Sequence, residues 1–510
     1  MKNLVISVPR LEIHRPPIST AIVAEVIRSH GHKVQALDLN CELFHYLPDR
    51  QSYYNHDEVW DRHRNMTFSE LKNLFKFIKT VCLEKMRDFD QYWISVFGGS
   101  GHIFTEMLCK FIRKYLPEKR IILGGQGTFT INIAGRKSFG YHMKKNKLCD
   151  LYLVGEGEET VKNVLDGKLE GPGISDENPT QINDLDSLPF PNYGFYDLDR
   201  YDYLAGTKEV FVVGSRGCVR RCTYCDVARY WPKYRYRSGD NIAAELINHY
   251  ELHGVKNFYF TDSLINGSMK AFNDMCEKLA KYNSQHKAGF SWKGQFIFRP
   301  KNQLPQDHFA TVAAAGGKEF YVGVETGSDK IRWEMDKKFT NEDIDFQLEE
   351  FNKYGLKVFF LMLIGYVTET LDDHMETLKM FKRWQKYVAT GTIQGIDLAT
   401  GLQFLSHTPL EKQIDQHGVY FLKKNIKGSE DQYTDVSLWQ AKNNPDLDVH
   451  ERLRRRLETH EEAIKYNWPI WRGSQRLKDV RLMAEKYLKF LQDQPDKPRM
   501  VVENNLHFFE

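Results

Sequence analysis

Two runs of alternating apolar strand and amphipathic helix, parted by a stretch of Gly, Pro, Asp and Asn, constrain the fold of these 510 residues more than any other feature. In the first run, residues 4–8 and 33–39 read as strands on either side of a helical 19–30 that stops at Gly31. Strands at 92–97, 121–123 and 151–154 continue it, with a helix over 103–115. Short apolar strands joined by helices are the pattern of parallel pairing, so residues 1–165 are expected to form a doubly wound, Rossmann-like sheet. Such sheets bind ligands at the carboxyl ends of their strands. Here those ends carry Gly98-Gly99-Ser100-Gly101 and Gly124-Gly125-Gln126-Gly127. Turns after strands also use glycine for conformational reasons alone, and each run by itself reads more readily as a turn.

Residues 166–201 lose the periodicity and read as a linker, with Gly171-Pro172-Gly173 and Leu188-Pro189-Phe190-Pro191-Asn192 as its punctuation. The second run places strands at 210–213, 257–261, 291–295, 319–324, 358–364 and 393–399. Helices at 242–252, 269–282, 342–354 and 371–384 lie between them. Six βα units over 202–433 fit a partial (β/α)6 barrel better than a second open sheet. Residues 434–510 show no strand alternation and are expected to form a helical extension, in which 451–462 reads as a solvated face. Trp439, Trp468 and Trp471 are expected in its core rather than as a cap over the barrel mouth.

Positive and negative side chains nearly balance, 71 Lys plus Arg against 68 Asp plus Glu, so neither a nucleic-acid nor an anionic-membrane partner is indicated. The most apolar stretch, 358–364, is far short of the ~20 residues of a membrane span, and no signal peptide is read at the N-terminus. Eight cysteines over this length are no disulfide framework, and a reducing, cytoplasmic compartment is expected. Cys41, Cys82, Cys109, Cys149 and Cys276 are scattered singly and read as small buried hydrophobes.

Cys218, Cys222 and Cys225 are different. They form C-x-x-x-C-x-x-C in the loop after the first strand of the second run. Three soft thiolates within eight positions can converge on one metal centre. Structural zinc would call for a fourth Cys or His, and no second C-x-x-C follows nearby. Three protein ligands on a 4Fe-4S cluster instead leave one iron open for a small molecule.

This spacing, with Tyr224 before the third cysteine, resembles the radical SAM superfamily. The resemblance implies that the amino and carboxylate groups of S-adenosylmethionine (SAM) chelate the open iron. One electron then cleaves SAM to methionine and a 5′-deoxyadenosyl radical, which abstracts hydrogen from substrate. It also implies an electron donor such as flavodoxin or ferredoxin, and positions for further SAM contacts at strand ends. Asp262, in Phe260-Thr261-Asp262-Ser263, stands where the second strand of the family approaches the methionyl amino group. Arg299 ends the third strand and can pair the SAM carboxylate or a substrate anion. Glu325, in Val322-Gly323-Val324-Glu325-Thr326-Gly327-Ser328, matches the acidic residue contacting ribose or the amino end. Gly365 matches the fifth-strand turn whose backbone meets adenine, whereas Tyr366 and Val367 depart from the pattern.

Residues 1–165 are similar to the cobalamin-binding domain fused to one branch of this superfamily. Arg15-Pro16-Pro17-Ile18, Gly31-His32-Lys33-Val34, Leu123-Gly124-Gly125 and Val154-Gly155-Glu156-Gly157 carry that likeness, which makes Gly98, Gly99, Gly124 and Gly125 candidate cobalamin contacts. The D-x-H-x-x-G loop that supplies a cobalt ligand in many cobalamin proteins is absent, and His14 lies near the corresponding loop. The expected function is a cobalamin-dependent methyltransferase acting on an unactivated carbon of an unidentified substrate. Rearrangement, cyclisation or oxidation without methyl transfer is the alternative, and a non-catalytic cobalamin or iron-sulfur sensor a further one. A methylthiotransferase would need an N-terminal cysteine trio, which Cys41, Cys82 and Cys109 do not form.

Overall fold

The computed structural model describes residues 1–9, 11–48, 68–129, 137–176, 178–203, 206–405, 407–425 and 432–470. The chain divides into two compact units, Met1–Val212 with Ala244–Tyr259, and Val213–Ala243 with Phe260–Glu510. The expected linker 166–201 and the strand that follows it thus count with the first unit.

The first unit holds a five-stranded sheet of β1 (Lys2–Ser7), β2 (Lys33–Asp38), β3 (Gln91–Ser95), β4 (Arg120–Gly124) and β5 (Leu151–Tyr152) in the order β2-β1-β3-β4-β5. Every pairing is parallel. The chain winds outward in both directions from β1 and β3, the doubly wound topology expected. Both faces are covered, as parallel sheets require. Leu4, Ile6, Tyr92 and Ile94 pack into one apolar cluster, and Val5, Trp93 and Ile122 into another with Ala24 and Ile27 of the helix Ile18–Ser29.

A six-stranded sheet follows from β6 (Glu209–Val212), β9 (Asn257–Phe260), β10 (Ser291–Phe296), β11 (Gly317–Glu325), β12 (Lys357–Ile364) and β13 (Ile393–Gly401). Its order, β13-β12-β11-β10-β9-β6, runs in strict sequence, as successive βα units of a partial barrel do. Strands β10 to β13 are parallel. Alternation sorts their side chains. Phe320, Val322 and Val324 of β11 are fully buried, and Phe320 meets Phe351 of the helix Asn341–Tyr354. Residues of the other parity, Glu319, Tyr321, Gly323 and Glu325, share the opposite face, where the Tyr321 hydroxyl donates to Glu319 (2.7 Å).

Two further pairs complete the description: β7 (Ser215–Arg216) with β8 (Arg235–Tyr236), and β14 (Val419–Asn425) with β15 (Gln432–Ala441), both antiparallel. The second pair corrects the expectation of no strand after residue 434. The helix Val449–Lys465 bears out helical structure in the extension but not a solvated face, because Arg452, Arg455 and Thr459 are buried. Trp439 and Trp468 are core, as expected; Trp471 lies outside the described residues.

Candidate functional site

The three clustered cysteines sit on one loop whose base is closed by the β7–β8 pair. Gly217, immediately before Cys218, has φ +85, and a Cβ there would lie 2.9 Å from the Lys233 carbonyl oxygen. Only glycine lets the two arms of the loop close at that point. The Thr223 N–H donates to the Met335 carbonyl (3.2 Å), and the Thr223 carbonyl accepts from Leu410 N–H (2.8 Å). The Arg220 N–H points at Cys218 Sγ (3.4 Å).

All three thiols are partly exposed, whereas the five scattered cysteines are buried, as expected. Burial pushes Cys222 up to about 11 against the pull of Lys337, and Cys225 is also raised, chiefly by burial. Among the described residues no group of three or more His, Cys, Asp or Glu is placed to hold a metal ion as the chain stands. The fit to a cluster therefore rests on donor chemistry: three thiols on one loop, which become thiolates once a cation compensates them.

Beside this loop Glu325 Oε1 accepts from the Tyr224 hydroxyl (2.7 Å) and from Lys337 Nζ (2.6 Å). Burial, and then the Glu325 charge, holds the Tyr224 hydroxyl well above its ordinary value, so it remains a donor. Burial disfavours charge on Lys337, but Glu325 outweighs it and the net direction is upward. Glu325 has φ +68, a strained conformation for a side-chain-bearing residue. A Cβ on Gly323 would lie 2.2 Å from Glu325 Oε1 and 2.6 Å from Lys337 Nζ. The absent side chain thus makes room for the ion pair. Lys337 escaped the sequence reading.

Gly365 (φ +84) turns the chain after β12. Its N–H donates to Glu369 Oε2 (3.2 Å), and Glu369 is paired with Arg455 at 3.0 Å. Arg452, from the same helix, fills the space where a Gly365 side chain would go, its carbons 2.8 Å from that Cβ position. Tyr366 shares a hydrogen bond with Thr223 of the cysteine loop (2.8 Å). The cysteine loop thus touches Glu325 through Tyr224, and Tyr366, next to Gly365, through Thr223.

Asp262 and Arg299 are engaged with backbone. Asp262 accepts from Gly214 N–H (2.9 Å) and Ser215 Oγ (2.6 Å), and burial pushes its carboxyl up to about 6. Arg299 Nη2 donates to the carbonyls of Asn266 (2.8 Å) and Gly267 (3.1 Å), and its Nε has no partner among the described residues.

In the first unit, Gly98 precedes the short turn Gly99–Gly101, and a Cβ on Gly98 would meet nothing within 4 Å. Gly124 is similarly open, its nearest neighbour at 4.0 Å. Gly125 is not: at φ +91 its Cβ would lie 2.5 Å from the Val96 carbonyl oxygen. Gly127 is equally tight, 2.9 Å from Gly98 N. These loops after β3 and β4 pack backbone on backbone, and their open glycines leave a bare cradle of the kind a large cofactor tail can lie against. His14 Nδ1 is already bonded to the Asp202 carbonyl (2.6 Å).

A cysteine loop at the carboxyl end of the first strand of a βα series, with an acidic residue ending the fourth, defines the class. Residues 212–381 match the radical SAM superfamily. An uncharacterised methyltransferase of Pyrococcus horikoshii is 23% identical over 72% of this chain and 73% of its own. An anaerobic magnesium-protoporphyrin IX monomethyl ester cyclase of Synechocystis is 26% identical over 45% of this chain, which spans about half of that relative (46%). The fold is shared with the radical SAM methyltransferase TsrM of Kitasatospora setae, solved with cobalamin and a 4Fe-4S cluster, at 13% identity and TM-score 0.61 over 93% of this chain and 92% of that one. The cobalamin-dependent SAM radical enzyme OxsB matches at 16% identity and TM-score 0.61 over 98% of this chain and 74% of its own. No described helix is long and apolar enough to cross a membrane.

Proposed function

We propose that the protein is a cobalamin-dependent radical SAM methyltransferase that methylates an unactivated carbon. The observation that carries this reading is the coexistence, in one chain, of the cysteine loop and a doubly wound unit with bare glycine loops at its strand ends. A fold likeness to two cobalamin-using radical enzymes supports it. Cys218, Cys222 and Cys225 would hold the cluster, which supplies the electron that splits SAM into methionine and a 5′-deoxyadenosyl radical. Cobalamin, whose chemistry is methyl-group carriage, would lie against Gly98, Gly99, Gly124 and Gly125. Glu325, fixed by Tyr224 and Lys337, offers its second carboxylate oxygen to the ribose or amino group of SAM. Gly365, locked by Glu369 and Arg455, presents backbone to adenine. Asp262 holds the turn from β6 into the cysteine loop, and Arg299 holds the segment after β9; both act by positioning loops around the SAM site.

Methyl transfer consumes SAM twice, once by homolysis and once as a methyl donor. Each turnover with the true substrate should yield one 5′-deoxyadenosine and one S-adenosylhomocysteine, read by mass spectrometry of anaerobic reactions. Product and 5′-deoxyadenosine without S-adenosylhomocysteine would refute methyl transfer. The likeness to ester cyclases favours, as second reading, an oxidative or cyclising reaction on the same scaffold.

A further inference from the structure

Apart from the residues assigned to SAM, a groove of about 530 Å³ opens beside the cysteine loop, a volume within the range of small-molecule sites. Arg220, Arg299, Trp333, Lys338 and Asp343 belong to its wall, whereas Cys218, Cys222, Cys225, Glu325 and Gly365 do not. Arg299 follows β10, Trp333 lies on the helix Asp329–Glu334 after β11, and Asp343 lies in the first turn of the helix Asn341–Tyr354. The groove is therefore built at the carboxyl ends of strands, where βα enzymes place their ligands.

The charge of this wall is not balanced from within. Neither Arg220 nor Arg299 forms an ion pair among the described residues, and the Nε of each is buried without a partner. Burial, and then the Arg220 charge, pushes Arg299 below its ordinary value, so the two guanidiniums stand within range of each other. Lys338 and Asp336 offset one another (2.8 Å). Asp343, the acid of the wall, accepts from the Thr340 N–H (2.9 Å) and hydroxyl (3.2 Å) at the positive end of its own helix. Two like charges without a counter-ion remain, an arrangement that an anion between them relieves.

A phosphate monoester suits that pair better than a carboxylate. It carries up to two charges and offers each guanidinium fork its own oxygens, whereas a carboxylate brings one charge and two oxygens. Trp333 is large and apolar yet 63% exposed. In the same wall as the guanidiniums, its indole is a platform on which a planar ring can stack.

We propose that this groove is a second small-molecule site, separate from that of SAM, for a phosphate monoester carrying a planar ring, such as a nucleoside monophosphate. The phosphate is held by Arg220 and Arg299 and the ring by Trp333. The site is joined to the cysteine loop through Arg220, whose N–H points at Cys218 Sγ (3.4 Å).

The test is anaerobic calorimetry of the cluster-loaded protein with AMP, adenosine and inorganic phosphate. AMP should bind at least about tenfold more tightly than adenosine, which lacks the charge-assisted hydrogen bonds. Arg220→Gln should weaken AMP by about tenfold or more, and Arg220→Lys, which keeps the charge without the fork, should recover part of that loss. Trp333→Ala should weaken AMP on the order of fivefold and leave phosphate affinity unchanged. Iron content and unfolding temperature report whether each variant keeps its cysteine loop; should Arg220→Gln lose iron, Trp333→Ala, outside that loop, decides the outcome. Saturating SAM should leave AMP affinity unchanged. AMP bound no more tightly than adenosine, AMP affinity retained in iron-replete Arg220→Gln or in Trp333→Ala, or competitive displacement of AMP by SAM would each overturn the second site.

Discussion

Replacing Glu325 tests whether this residue serves SAM, as proposed, in addition to the fold. Its carboxylate and Lys337 Nζ are 2.6 Å apart, with side chains only 10% and 11% exposed. Glu325→Gln removes one charge and leaves the Lys337 ammonium buried without its counter-ion. Breaking a buried pair this way costs about 3–5 kcal/mol. At roughly 2–4 °C per kcal/mol for a large domain, the apparent unfolding temperature should fall by roughly 6–20 °C. Lys337→Met alone should be comparably harmful, since it strands the carboxylate. The double variant removes both charges and keeps an apolar chain of similar reach, so its unfolding temperature should return to within about 3 °C of wild type, because replacing a whole buried pair is close to neutral. SAM affinity should not return. A lost charge-assisted hydrogen bond is worth about 1.5–3 kcal/mol, or roughly ten- to hundredfold in Kd, and the neutral amide of the double variant cannot restore it. Differential scanning fluorimetry and anaerobic equilibrium dialysis with labelled SAM give the two readouts. Recovery of SAM affinity together with stability would show that Glu325 serves only the fold.

Three further outcomes follow from the same geometry. Anaerobically reconstituted wild type should bind about four irons and four sulfides, whereas Ala at Cys218, Cys222 or Cys225 should abolish SAM cleavage; iron content unchanged in the triple variant would sink the cluster assignment. Gly125→Val should fail to accumulate as folded protein, since its Cβ would lie 2.5 Å from the Val96 carbonyl oxygen, whereas Gly124→Val should fold, its Cβ having 4.0 Å of clearance, and lose hydroxocobalamin binding; retention of the corrinoid spectrum in folded Gly124→Val would move the cofactor elsewhere. Asp262 keeps its proton in the folded state up to about pH 6, above its ordinary value of 3.8, so its contribution is fully present below pH 4 and lost as pH rises to 6; Asp262→Asn should flatten that part of the denaturation profile, and an unchanged slope in chemical unfolding would contradict the assignment.

The βα syntax and the cysteine loop were legible because each rests on local signals: period-two and period-3.6 hydrophobicity, and three like ligands within eight positions. The strand Gln432–Ala441 was not, because its pairing with β14 crosses a chain reversal and its sequence, polar and aromatic by turns, fits an exposed helix as well. Glycine was only half legible. Gly124 and Gly125 are adjacent and look alike in sequence, yet one is dictated by a positive φ and a backbone contact, while the other is spacious and free to serve a ligand.

The deepest omission was the set of residues that hold the site from a distance. Lys337 reaches Glu325 across 12 positions and Arg455 reaches Glu369 across 86. In the helix Val449–Lys465, Arg454 and Arg455 both pair with Glu451 at i,i+3 and i,i+4, the spacing of any solvated helix. Sequence cannot say which of those arginines turns inward. The fold does: Arg455 is almost wholly buried against Glu369, and Arg452 lies 3.7 Å over the Trp439 ring while backing Gly365. Burial depresses Arg452 to about 9. Arg452 and Arg455 thus tie the helix beyond the barrel to the Gly365 turn, the turn proposed to meet adenine, so the extension packs on that turn rather than standing apart from it.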